Sequence, residues 1–343
     1  MEDRKQRILR AIIDDYIQTA EPVGSRTVAR KYLLGVSPAT IRNEMADLEE
    51  QGYLEQPHAS AGRVPSDRGY RYYVEALMPP AEIPPETAAS MRQELSTSQD
   101  PDQLIFRAGR ALSRGTRYAS LVLKPSLRRL ALRHVQFTPL DRGHVLLVVV
   151  GDAGLVYNRI LQWSEASAQA DLLAKLSTML SRMLAGLEAR EITYTLLQQI
   201  AEELPQKSVR EMALSPLLDL LSQEQPDEQA YVDGVPFILE QPEFRDVEYV
   251  REVLDRLQEP DTLLTVMMGG QLEGLAIIIG REQPVEGLQR CSVVMAPYGP
   301  GDRPMGVIGL IGPTRMDYRR TVAAVQEMAS LLSQAMQHLS STG

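Results

Sequence analysis

The sequence predicts an α+β protein whose N-terminal part is a winged helix-turn-helix and whose remainder combines sheets with flanking helices. Three observations support this class. Residues 23–56 contain two short helical patterns separated by a tight turn and followed by strand-like residues. Residues 130–162 alternate as an antiparallel meander does, and residues 317–339 carry the apolar period of a long last helix.

The first helix is predicted from Asp3 to Thr19. Six of its apolar side chains repeat at i and i+4 in two adjacent rows, which together form one stripe. We expect this stripe to pack against the next two helices and to serve only as core. The rows are Ile8, Ile12 and Tyr16, and Leu9, Ile13 and Ile17.

Two short helices and the turn between them come next. Ser25 is predicted to cap the first helix, which extends to Tyr32, and Gly35 is the helix-stop residue of the turn. Ser37 is predicted to cap the second helix, with Pro38 at its first position, where no backbone amide is missed. This spacing is that of a helix-turn-helix, although an ordinary helical hairpin would match it as well.

The second helix has a buried side and an outward side at its N-terminal end. The outward residues are Ala39 and Asn43, flanked by Thr40 and Arg42, and all four are small, polar or cationic. A recognition helix presents such an end to base edges in the major groove of DNA. The predicted buried stripe is Ile41, Met45 and Leu48.

A wing is predicted directly after this helix. Residues 53–56 resemble a strand, residues 57–62 (PHASAG) are rich in turn formers, and Arg63 begins the return strand. We expect His58 and Arg63 to contact the sugar-phosphate backbone, His58 by hydrogen bonding and Arg63 by charge. Ser66 then caps a last helix with one apolar face, formed by Tyr70, Tyr73, Val74 and Leu77.

These residues closely resemble the N-terminal region of the HrcA family of heat-inducible transcription repressors. The matching runs are EPVGSRTVARKY, VSPATIRNEMADLEEQGYLEQPHASAGRVPSDRGYRYYV and, near the C-terminus, APYGPGDRPMGVIGLIGPTRMDY. The candidate DNA-binding residues on the helix-turn-helix and wing are Ser25, Arg26, Thr27, Ser37, Ala39, Thr40, Arg42, Asn43, His58 and Arg63.

The resemblance implies a dimeric repressor that binds an inverted-repeat operator in double-stranded DNA upstream of chaperonin and DnaK-type chaperone operons. It also implies that the chaperonin modulates the repressor. Two other hypotheses stay open: a metabolite-sensing regulator with a ligand pocket in its C-terminal part, and an adaptor that uses the winged helix for protein contacts.

Composition is that of an ordinary globular chain, and the net charge is −9. Residues 1–78 hold 11 basic and 12 acidic residues, so attraction to phosphate must come from the local arrangement of cations such as Arg26, Arg30, Lys31, Arg42 and Arg63. The N-terminus lacks the apolar segment of a signal peptide and no apolar run is long enough for a membrane span, so we expect a cytoplasmic protein without membrane contact.

The domain organisation is predicted from composition and periodicity together with the family resemblance. We assign residues 1–78 to the winged helix-turn-helix and 79–101 to a proline-rich linker that permits limited motion, with a short helix from Glu86 to Leu95. Residues 102–128 and 226–343 form the two parts of a GAF-like α/β domain, in which a mixed sheet is backed by the first and last helices. Residues 129–225 form an inserted sheet-plus-helices domain, which the family resemblance implies to be dimerising.

Within the C-terminal parts, helices are predicted at 102–114, 168–187, 191–204, 206–221, 244–257 and 317–339. The stripe on the helix at 168–187 is broad enough to serve a subunit interface as well as core. Strands are predicted for the run YVDGVPFIL and at 263–267, 275–279, 292–295 and 305–311. The apolar stripe of the last helix is Val322, Val325, Met328, Ala329, Leu332 and Met336.

Other features predict no chemistry. Residues 103–140 contain eight basic and no acidic residues, which more often form a solvated face than a binding surface. The loop around Arg303 matches no phosphate-binding spacing and is interpreted as a connection between two strands. His134 and His144 are weak evidence for a metal, Cys291 is expected to be a buried thiol, and we predict no cofactor and no enzymatic activity.

Overall fold

The computed structural model describes residues 2–96, 100–125, 127, 130–163, 170–201, 207–222, 230–268, 274–299 and 304–342. Helices and strands occur in the same chain but in separate runs, so the α+β class is confirmed. None of the described helices is long and apolar enough to cross a membrane.

Residues 2–78 form the N-terminal module. Its helices are α1 (Asp3–Thr19), α2 (Ser25–Tyr32), α3 (Pro38–Glu50) and α4 (Asp67–Tyr72), the last continuing as one π-helical turn (Tyr73–Leu77). Strands β1 (Leu54–Glu55) and β2 (Val64–Pro65) pair antiparallel between α3 and α4. The predicted bounds of α1 and the predicted end of α2 at Tyr32 are confirmed. Ile8, Leu9, Ile12 and Ile13 are fully buried as predicted, whereas Tyr16 and Ile17 are half-buried.

A five-stranded antiparallel sheet forms the centre of the C-terminal part. Its strands are β3 (Ala119–Leu123), β7 (Ala230–Asp233), β8 (Ala276–Ile279), β9 (Cys291–Tyr298) and β10 (Gly306–Pro313), in the order β7-β3-β10-β9-β8. Every neighbouring pair is antiparallel, so the expectation of a mixed sheet is wrong. The β9–β10 pairing confirms that the loop around Arg303 joins two neighbouring strands, although residues 300–303 lie outside the described residues.

Two helical layers cover this sheet. Helices α5 (Pro85–Leu95), α6 (Pro101–Thr116) and α13 (Tyr318–Thr342) contact one another, and the predicted stripe of α13 is buried throughout. A separate apolar cluster joins alternate β3 residues to α11 (Val247–Gln258) and α12 (Pro260–Met268). The thiol of Cys291 lies inside this second cluster, as predicted, and burial raises its pKa to about 11.

The chain leaves the central sheet after β3 and returns at β7. Between them lie β4 (Leu132–Pro139), β5 (His144–Gly151) and β6 (Val156–Gln162), followed by α7 (Ala170–Leu184), α8 (Tyr194–Ala201) and α9 (Lys207–Ser222). The three strands pair antiparallel in chain order, as the meander predicted. Helix α7 packs on β4 with Leu173, Leu176, Leu180 and Leu184 buried. Leu172 is only half-buried and Met183 is 39% exposed, so only part of the broad stripe predicted for this helix is core of the inserted segment.

Two predicted strands are helical instead. The run YVDGVPFIL forms a strand only through Asp233, because Gly234 adopts a left-handed conformation and Pro236 opens the short helix α10 (Val235–Leu239). Residues 263–267 lie inside α12, which begins at Pro260. Leu263, Val266 and Met267 are buried at helical spacing, and a short apolar run of this kind cannot be assigned from periodicity alone.

Candidate nucleic-acid interface

The N-terminal end of α3 is formed as the sequence predicts. The Ser37 hydroxyl accepts a hydrogen bond from the Thr40 backbone amide at 3.1 Å, and Pro38 occupies the first helical turn. The Thr40 hydroxyl lies 3.0 Å from the Ser37 hydroxyl. These contacts hold the first turn in place without using the side chains on its outward side.

Three predicted contact residues on this outward side are solvent-exposed: Ala39, Arg42 and Asn43. Neither Arg42 nor Asn43 has a hydrogen bond or ion pair among the residues that the structure describes. A planar guanidinium and a planar amide, both unpaired, can each form two hydrogen bonds to a base edge or to phosphate. Their availability is what a DNA-reading helix requires.

The opposite side of α3 is fixed to the module. Ile41, Met45 and Leu48 are buried, which confirms the predicted stripe. Glu44, also buried, accepts from Arg4 of α1, with Nη2–Oε1 at 2.6 Å.

A neighbouring pair also joins the two helices. The Lys5 ammonium lies 2.8 Å from Asp47 and 3.8 Å from Glu44. The hydrogen bond to Asp47 raises the pKa of Lys5, with smaller contributions from nearby acids. Together these contacts orient α3 relative to α1.

Helix α2 differs from the prediction at its start. Its N-cap is Gly24, and Ser25 is the first helical residue with no capping hydrogen bond from its side chain, so the predicted cap is wrong. Glycine is an acceptable N-cap because its backbone reaches the required extended conformation easily. Ser25 and Thr27 are half-buried, whereas Arg26 is exposed and unpaired within the described part of the chain.

The turn between α2 and α3 contains an unusual residue. Leu33 ends α2 in a left-handed conformation, with φ of 46°, and 82% of its surface is exposed. The predicted stop, Gly35, lies two residues later and also has positive φ, at 73°. The chain therefore reverses through two left-handed residues where the sequence suggested one.

The tip of the hairpin after α3 is held by hydrogen bonds to its backbone carbonyls. The Gln56 side-chain amide donates to the carbonyls of Ala59 at 3.0 Å and Ala61 at 3.2 Å. The Arg63 amide donates to the Val23 carbonyl and the Val23 amide donates to the Arg63 carbonyl, both at 2.9 Å. This pair joins the base of the hairpin to the chain just before α2. His58 is exposed on this tip, where it was predicted.

Arg63 has a partner that the sequence did not reveal. Its guanidinium pairs with Glu49 of α3 at 2.7 Å, and only 18% of its side chain is exposed. This contact fixes the hairpin to α3. The predicted phosphate contact of Arg63 stays a prediction, but it would require the side chain to leave Glu49.

Of the five cations expected to attract phosphate, two are therefore paired. Arg63 binds Glu49, and Lys31 binds Asp15 of α1 at 2.5 Å, a contact that raises the pKa of Lys31. The remaining three are exposed without a partner among the described residues. Sequence reasoning missed this division, because neither acid lies within helical spacing of its cation. The three unpaired cations are Arg26, Arg30 and Arg42.

Comparison with known proteins identifies the relatives of this chain. The family model of the HrcA protein C terminal domain matches residues 102–322. The chain is 43% identical over 341 residues to the heat-inducible transcription repressor HrcA of Moorella thermoacetica, which covers 99% of both chains. The chain belongs to the HrcA family. The HrcA of Pelotomaculum thermopropionicum is also 43% identical, over 342 residues, covering 99% of this chain and 98% of the relative.

Membership of the HrcA family makes this chain a heat-inducible transcription repressor, as the sequence resemblance implied, and these matches indicate no enzymatic family. The fold of this chain also resembles a crystal structure described only as that of a hypothetical protein. That structure shares 24% identity, covers 99% of both chains and superposes with a TM-score of 0.64.

Proposed function

We propose that residues 2–78 form a winged helix-turn-helix that reads an inverted-repeat operator, with α3 as the recognition helix and the hairpin as the wing. The observation that carries this proposal is the unpaired, exposed start of α3. Arg42 and Asn43 have no hydrogen bond or ion pair there within the described ranges, while the other side of the same helix is buried and ion-paired to α1. Specificity would come from base contacts of these residues, and the exposed Arg26 and Arg30 would contact phosphate.

The C-terminal part would then serve assembly. We propose a homodimer formed through the inserted segment, residues 130–222, with the five-stranded sheet and its helices as a GAF-like body. Within the described part of the chain, α7 packs on one face of the sheet formed by β4, β5 and β6. Its other face carries a row of apolar side chains, among which Ile160 is 62% exposed. The apolar members of this open face are Leu146, Val148, Val150, Val156 and Ile160, and Asn158 lies among them opposite Val148.

A second copy suits this face because a two-fold dimer brings two recognition helices to the two half-sites of an inverted repeat. Replacing Ile160 by Glu places a charge in the apolar row, and we expect monomers in sedimentation at concentrations where the unmodified chain is dimeric. Leu239→Glu is the matched control, since Leu239 is similarly exposed but lies on α10, outside the open face. Equal behaviour of the two variants would exclude this interface.

Control of the repressor by the chaperonin, which the family resemblance implies, is the last part of this proposal. The genes controlled would be chaperonin and DnaK-type chaperone operons, and the chaperonin would raise the fraction of repressor that is competent to bind DNA. Such control is mass action on a folded, active population. Heat would occupy the chaperonin with unfolded clients and lower that fraction.

The test is fluorescence anisotropy on an inverted-repeat duplex and on a scrambled duplex over a salt series, with and without chaperonin. We expect binding to the repeat alone, with log affinity falling by about 0.9 per phosphate contact per decade of salt. Added chaperonin should increase the fraction bound.

Asn43→Ala should weaken binding to the repeat by about 1–3 kcal/mol, the value of a lost base contact. Glu50→Ala, at the exposed far end of α3, is the matched control and should leave the affinity unchanged. Equal weak binding to both duplexes would contradict the proposal and favour the adaptor hypothesis, in which Asn43→Ala would leave partner binding unaffected.

A further inference from the structure

Helix α4 of the N-terminal module lies against the C-terminal body through a set of polar contacts. The Arg71 guanidinium donates two hydrogen bonds to the Glu282 carboxylate, from Nε to Oε1 at 2.9 Å and from Nη2 to Oε2. The same Nη2 also donates to the Ile277 carbonyl at 2.7 Å. The first helical turn of α4 contributes Asp67, which accepts from the Arg281 backbone amide at 2.9 Å. Both ends of this short helix are therefore bonded to the segment after β8.

The approach at Asp67 is close enough to require glycine opposite. Gly280 has φ of +52°, and a Cβ at this position would lie 2.3 Å from the Asp67 Oδ1 atom. Any larger residue at 280 would push α4 away from the body. The close contact therefore depends on a residue that has no side chain.

A second contact fixes the end of α1. Arg315, in the turn after β10, donates to the Ile17 carbonyl at 3.1 Å and to the Gln241 side chain at 3.0 Å, and it also binds Glu243. Nearby, the buried rings of Tyr70 and Tyr318 pack with centroids 5.7 Å apart. This contact is largely buried, so water competes little for these bonds.

A third contact holds the chain that leaves the module. Arg319, on α13, donates to the Pro80 carbonyl at 2.9 Å and pairs with Glu82 at 2.8 Å. The linker that follows continues into α5, which packs on α6 and α13. The described residues 79–96 of the linker are thus held at Pro80, at Glu82 and through α5. These contacts do not favour the limited motion expected from the linker's prolines.

Helix α4 is in turn bonded to the end of α3. Three carbonyls directly after α3 accept these bonds. The Arg68 guanidinium donates to the Gln51 carbonyl at 2.8 Å. The Ser66 hydroxyl donates to the Gly52 carbonyl at 2.6 Å, and the Ser66 amide to the Tyr53 carbonyl at 3.1 Å. The Arg68 guanidinium also stacks on the Tyr53 ring at 4.6 Å. A continuous series of bonds therefore runs from α3 through α4 to the body.

We propose that Asp67 and Arg71 are positioning residues for operator recognition, acting with Arg315 and Glu282 to fix the direction of α3 relative to the body. This inference rests on the proposed function. In a dimer, two recognition helices fixed in this way lie at one separation, so the repressor accepts one spacing between half-sites. The residues act through α4 and do not contact DNA themselves.

The physical reason is effective concentration. When one recognition helix is bound, a rigid connection places the second at one distance, where binding of the second half-site is strongly favoured. A loose connection spreads the second helix over many distances. Affinity at the preferred half-site spacing then falls, and the difference in affinity between that spacing and other spacings becomes smaller. Spacing preference therefore reports on the junction, whereas binding to a single half-site reports on α3 alone.

The experiment measures affinity for a series of inverted repeats whose spacer length changes in single base pairs, together with an isolated half-site. For the unmodified chain we expect affinity to fall by about 10-fold or more when the spacer changes by half a helical turn, about 5 base pairs. In the double variant Asp67→Ala, Arg71→Ala we expect a loss of about 10-fold at the preferred spacing and a nearly flat profile. Half-site affinity should stay within about twofold, because α3 is unchanged.

The matched control is Glu240→Ala. It removes an ion pair with Arg117 that lies within the body, does not reach the module and is more exposed than the Arg71–Glu282 pair. We expect its spacing profile to equal that of the unmodified chain. A double variant with the unmodified profile, or a control that flattens the profile equally, would overturn the proposal.

A second measurement does not depend on DNA. Spin labels at Ala59→Cys, on the exposed hairpin tip, and Glu248→Cys, on the exposed side of α11, report the distance between module and body in a Cys291→Ser background. We expect a narrow distance distribution that broadens in the double variant, and Glu282→Gln serves as a milder variant if the double variant unfolds. If the chain does not bind DNA but the distance distribution broadens in the double variant, the proposed function alone is refuted. If the distribution is the same in the double variant and the unmodified chain, the proposed positioning role of Asp67 and Arg71 is refuted.

Discussion

Seven of the eleven basic side chains of the N-terminal module fall into two regions that differ in their partners. In the first, the paired region, each cation is held by an acid from another element: Arg4 by Glu44, Lys5 by Asp47, Lys31 by Asp15 and Arg63 by Glu49. In the second, the free region, Arg26, Arg30 and Arg42 are exposed without a partner among the described residues. Of these seven described cations, only the three of the free region can bind phosphate or bases without breaking an existing contact.

This difference explains how a module of 11 basic and 12 acidic residues could bind DNA. The acids that pair with α1, α2 and hairpin cations are engaged in holding the helices together, so they oppose the approach of phosphate less than their number indicates. Bulk charge is therefore a poor guide here. The relevant quantity is the number of cations left after internal pairing.

The largest expected effect separates the two regions by DNA affinity. Arg42→Ala should weaken operator binding by about 1–3 kcal/mol, a factor of about 5–150, and reduce the salt slope by about one phosphate contact if Arg42 contacts the backbone. Arg63→Ala should leave affinity and salt slope nearly unchanged, because its guanidinium is occupied by Glu49. Anisotropy titrations over a salt series measure both. The reverse ranking would show that Arg63 leaves Glu49 on binding DNA.

The paired region should instead show its importance in stability. Glu44→Ala removes a buried carboxylate and leaves the mostly buried Lys5 without one of its acids, so we expect a loss of about 1–3 kcal/mol in the free energy of unfolding. Urea denaturation measures this loss. Glu50→Ala, at an exposed position of the same helix, should change stability by no more than about 0.5 kcal/mol. Similar losses for both variants would mean that the Glu44 pairs stabilise nothing.

The sequence predicted features set by local rules. The bounds of α1, the Ser37 cap, the buried stripe of α3 and the stripe of α13 follow from spacing within one element. The exposed candidates Arg42 and Asn43 follow from the same periodicity. For such features the neighbouring residues in sequence contain nearly all of the relevant information.

Features set by contacts between distant elements were not predicted. Strand β3 is buried on both faces, so its five residues show no alternation, and it was not recognised as the strand that begins the central sheet. The pairing of Arg63 with Glu49 and the bonds from α4 to the body join residues whose proximity only the folded chain establishes. Sequence reasoning could name the cations but not decide which were free.

A smaller effect is expected in the turn that joins α2 to α3. Leu33 is held in a left-handed conformation that costs a residue with a Cβ about 1 kcal/mol, and its exposed side chain contributes little packing. Leu33→Gly should therefore stabilise the chain by about that amount in thermal or urea unfolding. Leu33→Ala keeps the Cβ and should give no such gain. An equal gain from both would assign the effect to removal of the exposed leucine rather than to the backbone.

The smallest effect concerns protonation in the paired region. The hydrogen bond to Asp15 raises the pKa of Lys31 above its ordinary value of 10.5, so the folded state holds this proton more tightly than the unfolded state does. The resulting stabilisation is fully present below the ordinary lysine pKa and is lost as the pH rises through the folded value. Side-chain NMR of Lys31 over an alkaline titration should show the raised pKa, and Asp15→Asn should remove most of the shift. A Lys31 titration that is unchanged in Asp15→Asn would mean that the contact between α1 and α2 does not persist in solution, and Lys31 would then belong with the free cations.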